Sequence, residues 1–157
     1  MDEAKRPPSP AGEPDAEALS KKPVVILIED EPEIRRFLRA SLIGHGYRLF
    51  EATTGAEGLR EAESRQPDIV VLDLGLPDID GWEVARRLKG DDETRAIPII
   101  AFSGRSMQHE QVSALRAGCD VYLTKPCAPD KLLGAVRKLL GMEERTASPE
   151  EDQPDPY

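Results

Sequence analysis

The chain has 157 residues, with 21 Lys and Arg against 30 Asp and Glu, a net charge of -9 and 39% hydrophobic residues. That length holds one ordinary domain and not comfortably two. The acidic balance disfavours capture by nucleic acid or by an anionic membrane surface, and the longest strand-like apolar run, Val24 to Ile28, falls far short of the ~20 apolar residues that span a bilayer.

Charge and proline content divide the chain. Residues 1–22 and 143–157 hold six of the nine excess negative charges and half of the 14 prolines. They have little apolar material to offset the entropy of ordering. Both tails are expected to be disordered, the first lacking the apolar core of a signal peptide, and residues 23–142 are expected to form the domain. Cys119 and Cys127 are too far apart for a Cys-x-x-Cys motif, and a lone pair does not make a disulfide framework. A reducing cytoplasm suits them.

Within the domain the first strand is Val24 to Ile28, a continuous apolar run of the kind buried on both faces. Pro32 suits the first turn of a helix, with Asp30 as N-cap, and Ile34, Phe37, Leu38, Ser41 and Leu42 recur at helical spacing before Gly44 and Gly46 stop it. Tyr47 to Ala52 is a half-polar strand, followed by a helix from Gly55 to Arg65. Ile69 to Leu72 and Ile97 to Phe102 are again continuous strands, separated by a helix from Gly81 to Leu88. A helix from Met107 to Arg116, a half-polar strand from Cys119 to Leu123 and a helix from Pro129 to Leu140 complete the series. The half-polar strands belong nearer the sheet edges. Five strands alternating with five helices predict a doubly wound α/β sandwich with a parallel sheet, because right-handed crossovers cover both faces.

Ligands of such sheets sit beyond the carboxyl ends of the strands, where the strand order reverses. The residues that follow the apolar runs are therefore informative: Glu29, Asp30 and Glu31 after the first, Asp73 after the third, Ser103 and Gly104 after the fourth, Thr124, Lys125 and Pro126 after the fifth. Singly, each has a bland explanation as a cap, turn or solvated charge. Jointly they put carboxylates, a hydroxyl and an amine on one edge.

Glu29-Asp30-Glu31-Pro32, the block from Asp73 to Gly81, Ser103-Gly104 and Tyr122-Leu123-Thr124-Lys125-Pro126 together resemble a response-regulator receiver domain over about residues 24–141. The resemblance implies a flavodoxin-like fold with strand order 2-1-3-4-5. It implies that Asp73 accepts a phosphoryl group from a phosphohistidine on a sensor histidine kinase or histidine phosphotransfer protein. Glu29, Asp30, Asp73 and the Gly75 carbonyl would hold Mg²⁺. Three carboxylates against the one Lys125 ammonium leave two negative charges for a dication to cancel, and oxygen-only donors suit hard Mg²⁺. Mg²⁺ and Lys125 would supply the charge for the phosphoryl oxygens and Ser103 would donate its hydroxyl to them, with Gly104 in the cradle. The resemblance further implies a cis Lys125–Pro126 peptide, and a switch in which Ser103 moves toward the phosphoryl and Tyr122 turns inward. Glu29 stands where a second aspartate is commoner in this family, and Cys127 stands where Phe is frequent.

The chain is expected to work as a stand-alone receiver without a catalytic output of its own. It would signal to an unidentified protein target or act as a phosphorelay intermediate, contacting neither nucleic acid nor membrane. Its phosphodonor would dock on the first helix through Pro32, Ile34, Arg35 and Leu38. A haloacid-dehalogenase-type phosphohydrolase is the competing enzyme reading, but its second aspartate, two positions after the nucleophile, is here Gly75, which cannot transfer a proton. A flavin-binding reading meets the acids from Glu29 to Glu33 where a phosphate would have to sit. His45 and His109 are expected at the surface or at helix ends, and Trp82 is expected to pack at a helix start.

Overall fold

A computed structural model describes residues 22–104 and 108–141. The expected tails, apart from Lys22, and Met107 lie outside the described residues. Five strands, β1 (Val24–Ile28), β2 (Arg48–Ala52), β3 (Ile69–Asp73), β4 (Ile99–Ser103) and β5 (Val121–Thr124), alternate with five helices, α1 (Pro32–Leu42), α2 (Gly55–Arg65), α3 (Gly81–Gly90), α4 (Gln108–Arg116) and α5 (Pro129–Leu139). The strands form one parallel sheet in the order β2-β1-β3-β4-β5. This is the doubly wound α/β architecture and the strand order expected from the sequence.

The strand period of two divides the core into two layers. Val25, Leu27, Ile69, Val71, Ile100 and Phe102 pack under α1 and α5 with Leu38, Leu42, Leu132 and Val136. Ile26, Ile28, Val70, Leu72, Ile99 and Ala101 pack under α2, α3 and α4 with Ala62, Val84, Leu88 and Ala114. The continuous apolar runs are thus explained: residues on both faces of β1, β3 and β4 are removed from water, at about 1.5–3 kcal/mol for each fully buried large side chain. The half-polar β2 and β5 are the sheet edges, as their composition predicts. Cys119 is buried in the α2–α4 layer, and burial pushes its thiol up to about 12.

Several boundaries differ from the sequence reading, each for a local reason. β4 begins at Ile99, because Pro98 has no N–H to give the ladder; its carbonyl instead accepts from Val70 N at 3.0 Å. β3 extends through Asp73, which pairs in register with Phe102. Asp30 does not cap α1: the N-cap position falls on Glu31, without a side-chain cap bond, and Pro32 occupies the first turn, where a missing N–H costs nothing. Leu38 is 1% exposed and belongs to the core, so it offers a docking partner no surface.

Candidate functional site

The strand order reverses between β1 and β3, and their carboxyl ends deliver Glu29 and Asp30 from one strand and Asp73 from the other. One ligand oxygen of each carboxylate lies within 4.8 Å of the other two. Glu29 is fully buried, Asp73 is 5% exposed, and Asp30 is half-buried. Lys125, one residue past β5, reaches across β4 to donate to Glu29 Oε1 at 2.9 Å and to Asp73 Oδ1 at 3.1 Å. Its Lys125–Pro126 peptide is cis, as the resemblance implies. Lys125 N–H is itself anchored to the Ser103 carbonyl at 2.7 Å, which ties the end of β5 to the end of β4.

Electrostatics identifies the cluster as one left short of positive charge. Burial pushes the Glu29 carboxyl up to about 7, with the neighbouring Asp73 charge adding to the push against hydrogen bonds from Lys125 and from Glu31 N–H. For Lys125, burial works against the ammonium, but the hydrogen bond to Glu29 and the charges of Asp73 and Glu29 outweigh it and hold the group above the usual lysine range. Burial therefore favours a proton on Glu29 near neutrality in the metal-free cluster. Oxygen donors in this arrangement fit a hard dication, which would displace that proton.

Among the described residues, donors reach Asp73 on one oxygen only. Its Oδ1 accepts from Lys125 and from Gly75 N–H at 3.2 Å, while no described residue donates to Oδ2. Asp73 lines a cleft of about 370 Å³ with Leu74, Gly75, Ser103, Gly104 and Lys125. Added Cβ atoms at Gly75 or Gly104 would meet nothing within 4 Å, so both glycines leave open space at the cleft. Gly81 is different. A Cβ there would come within 2.5 Å of Leu74 Cα and 2.6 Å of the Asp73 carbonyl, so only glycine lets α3 start against the backbone that carries Asp73.

The structure thus brings together Glu29, Asp30, Asp73, Gly75, Ser103, Gly104 and Lys125. Tyr122 is half-buried on edge strand β5 and packed against the α2–α4 layer. His45 is exposed, and the side chain of His109 lies outside the described residues. Trp82 packs at the start of α3 as expected, but it also lines the cleft, together with Glu31 and Asp80. Asp80 is committed to capping α3, accepting from Trp82 N–H at 2.9 Å. The sequence signal for Trp82 was its place directly after Gly81, whose close approach brings the next residue to the cleft wall.

Comparison with known proteins gives the family and the fold neighbours of the chain. The family model described as the response regulator receiver domain matches residues 25–137. The KDP operon transcriptional regulatory protein KdpE of Escherichia coli K12 is 45% identical over 126 residues, covering 80% of this chain and 55% of that protein. A putative response regulator from Chloroflexus aurantiacus has a TM-score of 0.74 at 27% identity, covering 77% of this chain and 99% of its own. The receiver domain of a sensor histidine kinase from Pseudomonas aeruginosa PAO1, solved with a magnesium ion coordinated in the active site cleft, has a TM-score of 0.72 at 29% identity, covering 76% and 98%.

The chain belongs to the response-regulator receiver family of two-component signalling proteins. It spans about half the length of the curated relatives it matches, and those include transcriptional regulatory proteins.

Proposed function

We propose that the protein receives a phosphoryl group on Asp73 from a phosphohistidine of a sensor kinase or phosphotransfer protein and passes the signal on through a changed protein-binding surface. The observation that carries this reading is the one-sided restraint of Asp73, which lines the cleft: Lys125 and Gly75 hold Oδ1, and no described residue donates to Oδ2. A pair of electrons on Oδ2 forms the new O–P bond as the donor's P–N bond breaks. The departing electron pair stays on the imidazole nitrogen, which takes up a proton. The product is an aspartyl phosphate.

Glu29, Asp30, Asp73 and the Gly75 carbonyl would hold Mg²⁺, which supplies charge for the phosphoryl oxygens when bound. Lys125 sits 3.1 Å from Asp73 Oδ1, ready to pair with a phosphoryl oxygen. Ser103, buried at the end of β4, supplies a hydroxyl from the next strand, and Gly104 leaves room for the group. Ser103 and Tyr122 are the switch residues of this reading: they belong to neighbouring strands, with Ala101 pairing Tyr122 and Ser103 pairing Thr124. A shift at the phosphoryl would be felt on β5 through that ladder.

The protein is not a multiple-turnover hydrolase in this reading, since Gly75 offers no acid or base two positions from the acceptor. Its place is the cytoplasm; no helix among the described residues is long and apolar enough to cross a membrane. Its output is carried by protein partners rather than by direct contact with nucleic acid, in keeping with the net charge of -9. Passage of the phosphoryl onward to a histidine phosphotransfer protein remains the alternative role. The transcriptional regulators among its relatives favour a second reading of the output, in which the target controls transcription.

The test is uptake of label from a small phosphodonor in the presence of Mg²⁺. The wild-type protein should be labelled with acid-stable, base-labile phosphate, and Asp73→Asn should lose more than about 100-fold of that labelling. Normal labelling of the variant would place the acceptor elsewhere. A pull-down with and without beryllofluoride then separates the outputs by what is retained.

A further inference from the structure

Arg35, expected from the sequence to face a docking partner, is instead turned inward, with 20% of its side chain exposed. One of its terminal nitrogens, Nη1, donates to the Glu29 carbonyl at 3.0 Å and to the Asp30 carbonyl at 2.9 Å. Its Nε lies 3.3 Å from Glu51 Oε1 on β2. Glu51 is itself gripped by Arg39, one turn further along α1. These two carbonyls belong to the short connection between β1 and α1. Glu29 N–H still bonds the Ala52 carbonyl at 3.0 Å, and beyond that point the β1 ladder with β2 is over. Carbonyls that leave a sheet must find another donor, and here one guanidinium serves two in succession.

We infer that Arg35 is a positioning residue for the metal-binding loop, setting the two peptide planes from which the Glu29 and Asp30 carboxylates project toward Asp73. The inference rests on the metal-site reading above. The chemistry requires arginine. Its planar fork holds two carbonyls and a carboxylate at fixed angles, whereas a lysine ammonium on a flexible stem does not reproduce that geometry. Glu51 orients the guanidinium, and Arg39 secures Glu51. The order along the relay is Arg39, Glu51, Arg35, loop carbonyls. Of these three side chains, Arg35 alone donates to the loop carbonyls.

That order makes Arg39 the internal control. Loss of either arginine weakens the α1–β2 contact, but only loss of Arg35 frees the loop that carries two proposed ligands. The experiment titrates Mg²⁺ into the full-length wild-type chain, Arg35→Gln and Arg39→Gln, following amide NMR shifts around Asp73. Thermal unfolding without metal is measured alongside. Arg35→Gln is expected to raise the half-saturating Mg²⁺ concentration by about tenfold, the usual scale for residues that orient metal ligands. Arg39→Gln is expected to stay within about twofold of wild type, with both variants losing similar thermal stability. Arg35→Lys should show an intermediate rise, and it carries the same readout should Arg35→Gln fail to fold. Equal Mg²⁺ affinity for wild type and the Arg35 variants, or an equal loss in Arg39→Gln, overturns the positioning role and leaves the proposed function standing. A wild-type chain that takes up no Mg²⁺ overturns the proposed function, and this inference with it.

Discussion

The two ends of the sheet use the same residue types to opposite effect. At the amino end, Asp68 and Asp120 accept from the first N–H groups of neighbouring strands, Val24 at 2.7 Å and Ile99 at 2.8 Å. Lys89 pairs there with Asp120 at 3.3 Å and also donates to the Ile97 and Arg95 carbonyls. One lysine meets one carboxylate, both are partly exposed, and the acceptors are satisfied. At the carboxyl end, one half-buried lysine meets the buried Glu29 and Asp73, with Asp30 beside them. The first arrangement closes the ends of the sheet. The second has more acid than its lysine can balance, and that surplus suits it to a cation and an incoming phosphoryl group. Charge balance, rather than the presence of acids and a lysine, separates the functional end from the structural one.

The sharpest way to break this contrast is to remove each lysine in turn. Lys125→Ala should destabilise the metal-free protein by about 3 kcal/mol, because it strands buried carboxylates without a counter-charge. Mg²⁺ should restore much of that loss in urea melts. Lys89→Ala should cost only about 1 kcal/mol, the worth of partly exposed hydrogen bonds, with no Mg²⁺ dependence. Equal losses with equal insensitivity to Mg²⁺ would erase the distinction between the two ends.

Removing an acid should act the other way at the carboxyl end. With its carboxyl raised from 4.5 to about 7, Glu29 adds nothing to the pH dependence of stability below pH 4.5. As pH climbs through about 7 the unfolded chain ionises more readily than the folded one, and stability falls. Glu29→Gln should therefore stabilise the metal-free protein at pH 8 by about 2 kcal/mol, with the gain vanishing below pH 4.5. Mg²⁺ binding by the wild type should strengthen with rising pH through about 7, and the variant should lose that dependence. Unchanged stability of Glu29→Gln across this range would mean that burial does not raise the Glu29 carboxyl.

The smallest effect belongs to the amino end. The Tyr47 hydroxyl, just before β2, is buried without a hydrogen-bond partner among the described residues. Tyr47→Phe should be neutral or stabilising by up to about 1 kcal/mol in the same melts. A clear loss would reveal a structural role for that hydroxyl.

Much of the fold was legible because local periodicity reports burial. The unbroken apolar runs of β1, β3 and β4 marked strands covered on both faces, and the half-polar stretches marked the edges. The α2 boundaries matched at both ends, where Thr54 caps the helix by accepting from Glu57 N–H and Gln66 ends it in a left-handed turn. The approximate site was legible too, since charged residues directly after buried strands have one edge to share. Asp30 fits two roles by its sequence neighbourhood, helix cap and member of the acidic cluster, and the structure keeps only the second, with the cap position on Glu31. Leu38 and Arg35 were misread because helical spacing shows that α1 has an apolar face but not which residues at its margins turn inward.

The order of residue types along the chain was therefore enough to set five strands, five helices, their layering and the edge where the acids gather, because burial and periodicity act over a few residues. Which acid Lys125 pairs with, which Asp73 oxygen stays open, why Gly81 must be glycine and where Arg35 points were decided only by tertiary structure. Those contacts join residues up to 96 positions apart, and their energies depend on strand register and on exclusion of water, neither of which any local stretch of sequence encodes.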